Sequence, residues 1–374
     1  MSSISILPSP EVRSRLYHEI SSSFICRILL GTYSRITPIC VRILLFLCLM
    51  VKLNECWMNL KYFIASFDTK SDHASRSLSY FADLTMELWF VGGSFTGLLF
   101  RIEKFYRTFD AVWMELPISY GTMMSRLLEA SRKNTRHKMW RLIFVSSIIV
   151  SYDLRATIEK GLQSRTLFLR GILNFLVNLL ELIIEFEILR TLLVSTSLIS
   201  SGFKCIKTQM KTLKSPDDLT PEKLEHYRTC YDGLKKLVNL TNNTFSLYIS
   251  MTLTIFVPNS IAVFYNMIFS PLTVEIYIFN AILTAYNFNL LSIMIAPLIK
   301  VYSSASSPYL PLYRIILGHS SNALKIEASM FLDQLGANKI GFRYLGAYYI
   351  TPEIGVSLAT LVVTYLLGLS ALIG

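Results

Sequence analysis

Charged side chains are scarce in this sequence: Asp, Glu, Lys and Arg make up 16% of its 374 residues. A soluble protein carries about 25%, so there is too little polar surface here to cover a water-soluble globule. Acids are the scarcer sign, 25 against 36 basic residues, which leaves a formal net charge of +11. Paired cysteine motifs are missing too. The six cysteines, Cys26, Cys40, Cys48, Cys56, Cys205 and Cys230, form no CxxC and no secreted disulfide framework. Three of them, Cys40, Cys48 and Cys56, recur along one apolar segment and read as small membrane-core residues. The five histidines are scattered, so no metal site is expected. No HExxH, GxSxG, phosphate-binding loop or dinucleotide-binding glycine pattern occurs, so neither an enzyme nor a cofactor has support. The basic residues are spread between apolar segments, with no basic tail or aromatic-interleaved patch, which argues against a nucleic-acid partner. The N-terminus, MSSISILPSPEVRSR, also lacks the early apolar run and small-residue cleavage site of a signal peptide.

What the chain has in abundance is apolar sequence: 52% hydrophobic residues and a mean hydropathy of +0.46. These residues gather into runs of bilayer length. The expected fold class is all-α, a polytopic membrane protein with seven transmembrane helices. The segments are about Pro38–Phe67, Tyr80–Phe100, Met139–Leu154, Leu167 to past Ile199, Phe245–Phe269, Leu272–Ile299 and Thr351 to the C-terminus. The third is the shortest. The fourth is longer than a bilayer needs and is expected to project beyond it as one helix. Only Ser270-Pro271 separates the fifth from the sixth, which makes them a tight hairpin.

Lys and Arg number four in residues 1–37, nine in 101–141, nine in 188–244 and five in 300–350, twenty-seven on one side. The opposite side holds three in 61–79 and three in 154–166. That bias places the N-terminus in the cytoplasm and the C-terminus outside, the inverse of a G-protein-coupled receptor. DRY-like and NPxxY-like triplets at helix ends are also absent. The expected organisation is a cytoplasmic N-terminal segment, 1–37; helices one to six, 38–300, with cytoplasmic loops 101–141 and 188–244; a cytoplasmic segment, 301–350; and the seventh helix, 351–374.

The cytoplasmic loops carry helical signals. Thr220-Pro221-Glu222 supplies an N-cap, a proline at the first helical position and an early acid. Leu224, Tyr227, Tyr231, Leu234 and Val238 follow at near-helical spacing and lead into the fifth span. A second helix starts near Ser321 and ends at Gly336, and a third is expected between Met114 and Arg136. The acceptor sequences Asn239-Leu240-Thr241 and Asn242-Asn243-Thr244 lie in a loop assigned to the cytoplasm, so both are expected to stay unglycosylated.

Three sets of residues are candidates for function. In the seventh segment Ser357, Thr360, Thr364, Gly368 and Ala371 fall on one helical face. Such a face can line a water-filled path; small residues equally let helices pack closely, as Gly355 and Ala359 would. In the fourth segment Asn178, Glu181 and Glu185 share a face, which allows a proton or cation pathway. Glu185 to Arg190, with Glu187 and Arg190 three apart, read rather as an intrahelical pair and interface anchors. Aromatic and polar residues crowd the outer ends of several spans: Asp83, Glu87, Tyr152, Asn174, Phe264, Tyr265, Tyr277, Asn280 and Tyr286. An aromatic-lined cavity with a few polar groups is what a small-molecule site needs; aromatic belts at membrane interfaces supply the same residues.

The last third of the chain resembles the invertebrate gustatory receptor family, within the insect chemoreceptor superfamily. Thr364-Tyr365 followed by Leu366, Leu367, Gly368, Leu369 and Ser370 is similar to that family's TYhhhhhQF signature. Gly346-Ala347-Tyr348-Tyr349-Ile350 resembles its glycine-aromatic stretch before the seventh helix. Leu237-Val238-Asn239, Asn242 and Phe245-Ser246 resemble the start of its fifth. The resemblance implies a multi-pass plasma-membrane receptor. It also implies a homotetrameric, ligand-gated, non-selective cation channel with the last helix lining the pore and residues 301–350 forming a cytoplasmic anchor. The ligand site would lie in the outer half of helices one to six. Its implied partners are a small-molecule tastant, membrane lipid, and further copies or related subunits. The sequence departs from the family at Ala371-Leu372, where Gln-Phe is usual, and at Gly368, where a bulky apolar gate is usual. Dewetting closes such a gate, so the departures favour either gating at Leu367 or Leu372 or a non-conducting, partner-dependent subunit. A transporter using the intramembrane acids is the remaining alternative; loss of uptake in Glu181→Gln would mark it.

Overall fold

In the computed structural model the described residues are 37–66, 102–116, 122–161, 165–212, 220–269, 273–318, 321–337 and 339–354, with single positions between 81 and 95 and between 356 and 364. They form an all-α bundle. Its helices are α1 (Thr37–Ser66), α2 (Ile102–Glu115), α3 (Thr122–Gly161), α4 (Arg165–Thr212), α5 (Pro221–Phe269), α6 (Val274–Ala305), α7 (Tyr309–Leu317) and α8 (Asn322–Ala337). The described positions between 81 and 95 are also helical, as are those from 352 to 364. The stretches Pro221–Ile268 and Val274–Leu317 are long and apolar enough to cross a membrane.

The long helices follow from uninterrupted apolar faces and well-made starts. Helix α4 has 48 residues and α5 has 49; at 1.5 Å per residue each is about 70 Å long, more than twice the ~30 Å hydrocarbon core. At the start of α5 the Thr220 hydroxyl accepts the Lys223 N–H at 3.3 Å, and Pro221 occupies the first turn, where its missing N–H costs nothing. Thr273 caps α6 through the Ile276 N–H at 3.4 Å, and Ser321 caps α8 through the Leu324 N–H at 3.3 Å.

One helix expected from the sequence divides differently. Residues 114–136 are not a single helix: α2 ends at Glu115, and a separate helix, α3, begins at Thr122 and continues to Gly161. Pro117 explains the break, because it disfavours helical backbone at Leu116 and removes an N–H from any continuing helix. The third apolar segment, Met139–Leu154, thereby lies within a 40-residue helix.

Aromatic side chains join α2, α4 and α8 to α5 in the buried core. Helix α2 buries Phe105, Phe109 and Trp113, and Phe105 sets its ring edge-on to Phe245 of α5, 5.3 Å between centroids. Tyr231 of α5 lies edge-on between Phe203 of α4 and Phe331 of α8, at 5.2 and 5.3 Å, and donates its hydroxyl to the Ala305 carbonyl at 3.1 Å. Each edge-to-face pair contributes about 0.5–1.5 kcal/mol beyond area burial. Arg228 pairs with Glu327 at 2.8 Å, and Gln334 donates to Asp232, so α8 is pinned to α5 over two turns. Gly202 lets α4 and α5 approach: a Cβ there would stand 2.6 Å from Leu234 Cδ2.

The glycine-aromatic stretch is a two-stranded antiparallel hairpin, β1 (Arg343–Tyr344) and β2 (Tyr348–Tyr349), pairing Arg343 with Tyr349 and Tyr344 with Tyr348. Its turn places Leu345 at φ 51° and Gly346 at φ 72°, and the Ala347 N–H returns to the Tyr344 carbonyl at 3.1 Å. Positive φ at both central residues matches the twist of a hairpin, and glycine carries the second at no steric cost. The hairpin is clipped to α5: Asn242 Oδ1 accepts the Arg343 N–H and Ser250 Oγ the Leu345 N–H, both at 2.9 Å.

Candidate functional site

Polar side chains cross the middle of the bundle in a buried seam. At its α1 end, Lys52 is 1% exposed and donates to Glu55 at 2.7 Å and to Glu87 at 2.9 Å. Its ammonium also lies 5.1 Å from the Phe90 ring centroid. Helical spacing explains the geometry, since Lys52 and Glu55 are neighbours on α1 and Glu87 and Phe90 are neighbours on the facing helix. A lysine in an apolar run is tolerated only when paired; here two carboxylates and an aromatic face surround it.

Glu181 of α4 acts electrostatically on Lys52 and on Glu185, one turn further along the same helix. Glu185 faces the Tyr248 hydroxyl of α5, and Tyr286 of α6 faces Ser146 of α3. Glu181 and Glu185 are 2% and 3% exposed. Thr85 donates to Asn259 Oδ1 at 3.2 Å, joining the 81–95 helix to α5 next to Pro258. Six helical segments thus contribute to one polar seam, with Asn287 buried on α6 beside Tyr286. The intrahelical Glu187–Arg190 pair is present at 3.2 Å. Glu181, Glu185 and Glu187 are all buried, because α4 packs against α3, α5 and α6.

The proposed pocket residues fall in different parts of the bundle. Tyr152 of α3 stacks on Phe279 of α6, centroids 4.1 Å apart at 19°, beside half-buried Asn280. Tyr277 is exposed one turn away. Phe264 and Tyr265 lie on α5 near the Met267–Thr284 contact that joins α5 to α6. Asn174 is half-buried on α4. Glu87 and Tyr286 belong to the polar seam. The structure therefore brings Tyr152 to the Phe279–Asn280 turn and Tyr286 toward Glu185 and Tyr248, and it engages Glu87 with Lys52. Asp83 lies outside the described residues.

Sequence reasoning missed Lys52, Ser146, Tyr248 and Asn259. Lys52 had a readable signal, a cation within an apolar run with an acid three residues on; the others are ordinary residues made significant only by their neighbours.

On the last described helical stretch, between 352 and 364, Ser357, Thr360 and Thr364 are exposed, and so are the apolar Val356 and Val363, at 70% and 55%. A single chain leaves the described side chains on several faces of this helix uncovered. Tyr365, Gly368 and Ala371 lie outside the described residues. Among the described residues no group of three or more His, Cys, Asp or Glu could hold a metal. Below the seam, Cys205 and Cys230 are buried and act on each other across α4 and α5; burial pushes the Cys230 thiol up to about 12, which leaves it protonated and inert at neutral pH.

No family model matches the sequence, and no curated protein sequence is significantly similar to it. Solved structures do match. The insect olfactory receptor OR5 from Machilis hrabei in complex with eugenol superposes with a TM-score of 0.72 at 9% identity, covering 96% of this chain and 99% of that one. A second structure of the insect olfactory receptor OR5 from Machilis hrabei superposes with a TM-score of 0.68 at 9% identity, over 96% of this chain and 98% of that one. The chain has the helical membrane fold of an insect olfactory receptor, in keeping with the chemoreceptor resemblance of its C-terminal third. Those neighbours are receptors rather than enzymes.

Proposed function

We infer that this chain, folded over nearly its whole length like an insect olfactory receptor, is a chemosensory receptor of the insect chemoreceptor superfamily. In this reading it is of gustatory type and works as a ligand-gated, non-selective cation channel in the plasma membrane. Seven helices cross the bilayer, with the N-terminus cytoplasmic and the C-terminus outside, as the charge bias favours. Four copies, or copies with related subunits, surround a pore lined by Ser357, Thr360, Thr364, Gly368 and Ala371. The observation that carries the reading is the full-length fold match together with the uncovered seventh helix. A helix with exposed apolar and hydroxyl-bearing faces is completed by its equivalents in a ring: hydroxyls toward water, apolar side chains toward neighbouring subunits.

The ligand is a small organic molecule, a class supported by the eugenol complex of the neighbour. It would enter between α3, α5 and α6 near Tyr152, Phe264, Tyr265 and Asn280, above the polar seam. Aromatic walls supply buried area and Asn280 an amide for orientation. A ligand seated there rearranges α6 and α5, and the hairpin bonded to α5 through Asn242 and Ser250 carries the shift to the seventh helix. One specific feature favours a second reading, a partner-dependent or non-conducting subunit: Gly368 and Ala371 stand where related channels carry a bulky gate residue and Gln.

Whole-cell current from cells expressing the chain alone, against a tastant panel, tests both. Ligand-dependent cation current altered by Gly368→Leu or Ala371→Gln is the expected result. Silence from all three proteins at confirmed surface expression would favour the partner-dependent or non-conducting subunit.

A further inference from the structure

The contact between α5 and α6 is fixed by side chains that meet across it. Thr284 of α6 donates its hydroxyl to Met267 Sδ of α5 at 3.7 Å, and Leu283 packs against Ala262 and Val263. One turn deeper on those same faces stand Asn287, three residues beyond Thr284 and four beyond Leu283, and Ser260, three before Val263 and seven before Met267. The two therefore oppose each other across the contact. Asn259, beside Ser260, turns toward the 81–95 helix, where its Oδ1 accepts the Thr85 hydroxyl at 3.2 Å. Asn280, Thr284 and Asn287 make a polar row down one face of α6, half-buried at the top and 0% exposed at the foot.

At that foot four polar atoms have no partner among the described residues: Asn259 Nδ2, Ser260 Oγ and both amide atoms of Asn287. All three residues are at most 1% exposed. Buried polar groups are almost always hydrogen-bonded, and one left unmade costs its whole desolvation. Ser260 is the most informative of them. On the same helix the hydroxyls of Thr241, Thr244 and Thr252 each donate to the carbonyl four residues back, at 2.8 Å, the local bond open to any helical hydroxyl. Ser260 makes no such bond, so its hydroxyl is free for a group outside α5. The three side chains together offer donors and acceptors but no charge. An ionised group would find no counter-charge among them, and an ether could not donate to Asn287 Oδ1. A hydroxyl both donates and accepts.

We propose that Asn259, Ser260 and Asn287 form a subsite for the hydroxyl of a neutral alcohol or phenol. The hydroxyl donates to Asn287 Oδ1 and accepts from Ser260 or an amide N–H. The apolar remainder of the molecule rises past Thr284 toward Phe264 and Asn280. That this molecule is the receptor's ligand rests on the preceding reading; the subsite itself is tested by binding alone.

The full-length protein in neutral detergent would be melted with matched probes of nearly equal size: thymol against thymol methyl ether, and octanol against heptyl methyl ether. A ligand that binds the folded state raises the melting midpoint, and the hydroxyl member of at least one pair should raise it by about 2 °C or more beyond its ether. That difference should vanish in Asn287→Leu and in Ser260→Ala, and persist in Ser303→Ala, an exposed position on the same helix. Should Asn287→Leu fail to fold, Ser260→Ala alone must abolish it. A hydroxyl preference without ligand-gated current would refute the channel reading for these probes and keep the subsite. Current evoked equally by alcohol and ether would overturn the subsite alone. No hydroxyl preference in the native protein, which would mean that the three side chains hold water only, or a preference that survives both substitutions, overturns the proposal.

Discussion

Lys52→Met is the substitution with the best-defined consequence. Methionine matches the length of the lysine stem, so packing against Phe90 is largely kept and the charge alone is lost. Two carboxylates, Glu55 and Glu87, are then left facing each other without a cation where Lys52 was 1% exposed. Removing one partner of a buried ion pair costs about 3–5 kcal/mol, because the remaining charge stays desolvated. Unfolding entropy of about 2.1 cal/mol/K per residue over 374 residues comes to about 0.8 kcal/mol/K, so the melting midpoint should fall by about 4–6 °C. Glu87→Gln keeps a hydrogen-bond acceptor for Lys52 and leaves Glu55 as its counter-ion, so its loss should be smaller. The informative protein is Lys52→Met/Glu87→Gln, which removes one charge of each sign and should melt above Lys52→Met alone. Heating detergent-solubilised protein and following the monodisperse fraction by size exclusion reads all three. A Lys52→Met midpoint within 1 °C of the native protein would refute the buried triad. So would a double variant that loses the sum of the two single effects, since independent sites add and coupled ones do not.

Gly202→Ala places a Cβ 2.6 Å from Leu234 Cδ2. Overpacking of this kind costs about 1–3 kcal/mol, and the midpoint should fall, with Leu234→Ala added to Gly202→Ala relieving the clash component. Mass spectrometry of protein from a eukaryotic host should find Asn239 and Asn242 unglycosylated, since both sit within helix α5 and Asn242 accepts the Arg343 N–H; a glycan at either would overturn the proposed orientation. Cys230 has its thiol raised from 9.0 to about 12 by burial. The folded chain holds that proton after the unfolded chain has lost it. Its contribution to stability is thus complete below pH 9.0 and declines toward about pH 12, by about 1.4 kcal/mol per pH unit. Denaturation midpoints measured from pH 8 to 11 should fall less steeply for Cys230→Ala than for the native protein.

Helix positions and helix class follow from local features that act within a few residues. The Thr220–Pro221 start of α5, the uninterrupted apolar run of α4 and the Ser321 start of α8 depend on capping geometry and apolar periodicity, both written in neighbouring positions. The resemblance of Gly346–Ile350 to a family motif likewise has a local cause, a tight turn needing positive φ. Pro117 was a local signal also, and it explains why α2 and α3 are separate helices. The polar seam is different. Lys52 announces that it needs a partner, but which acid meets it depends on the contact between α1 and a helix thirty-odd residues away, and Glu185 meets Tyr248 only through the packing of α4 on α5. Nothing in the intervening sequence encodes those distances. Electrostatic energy depends on separation in space, whereas the sequence records separation along the chain.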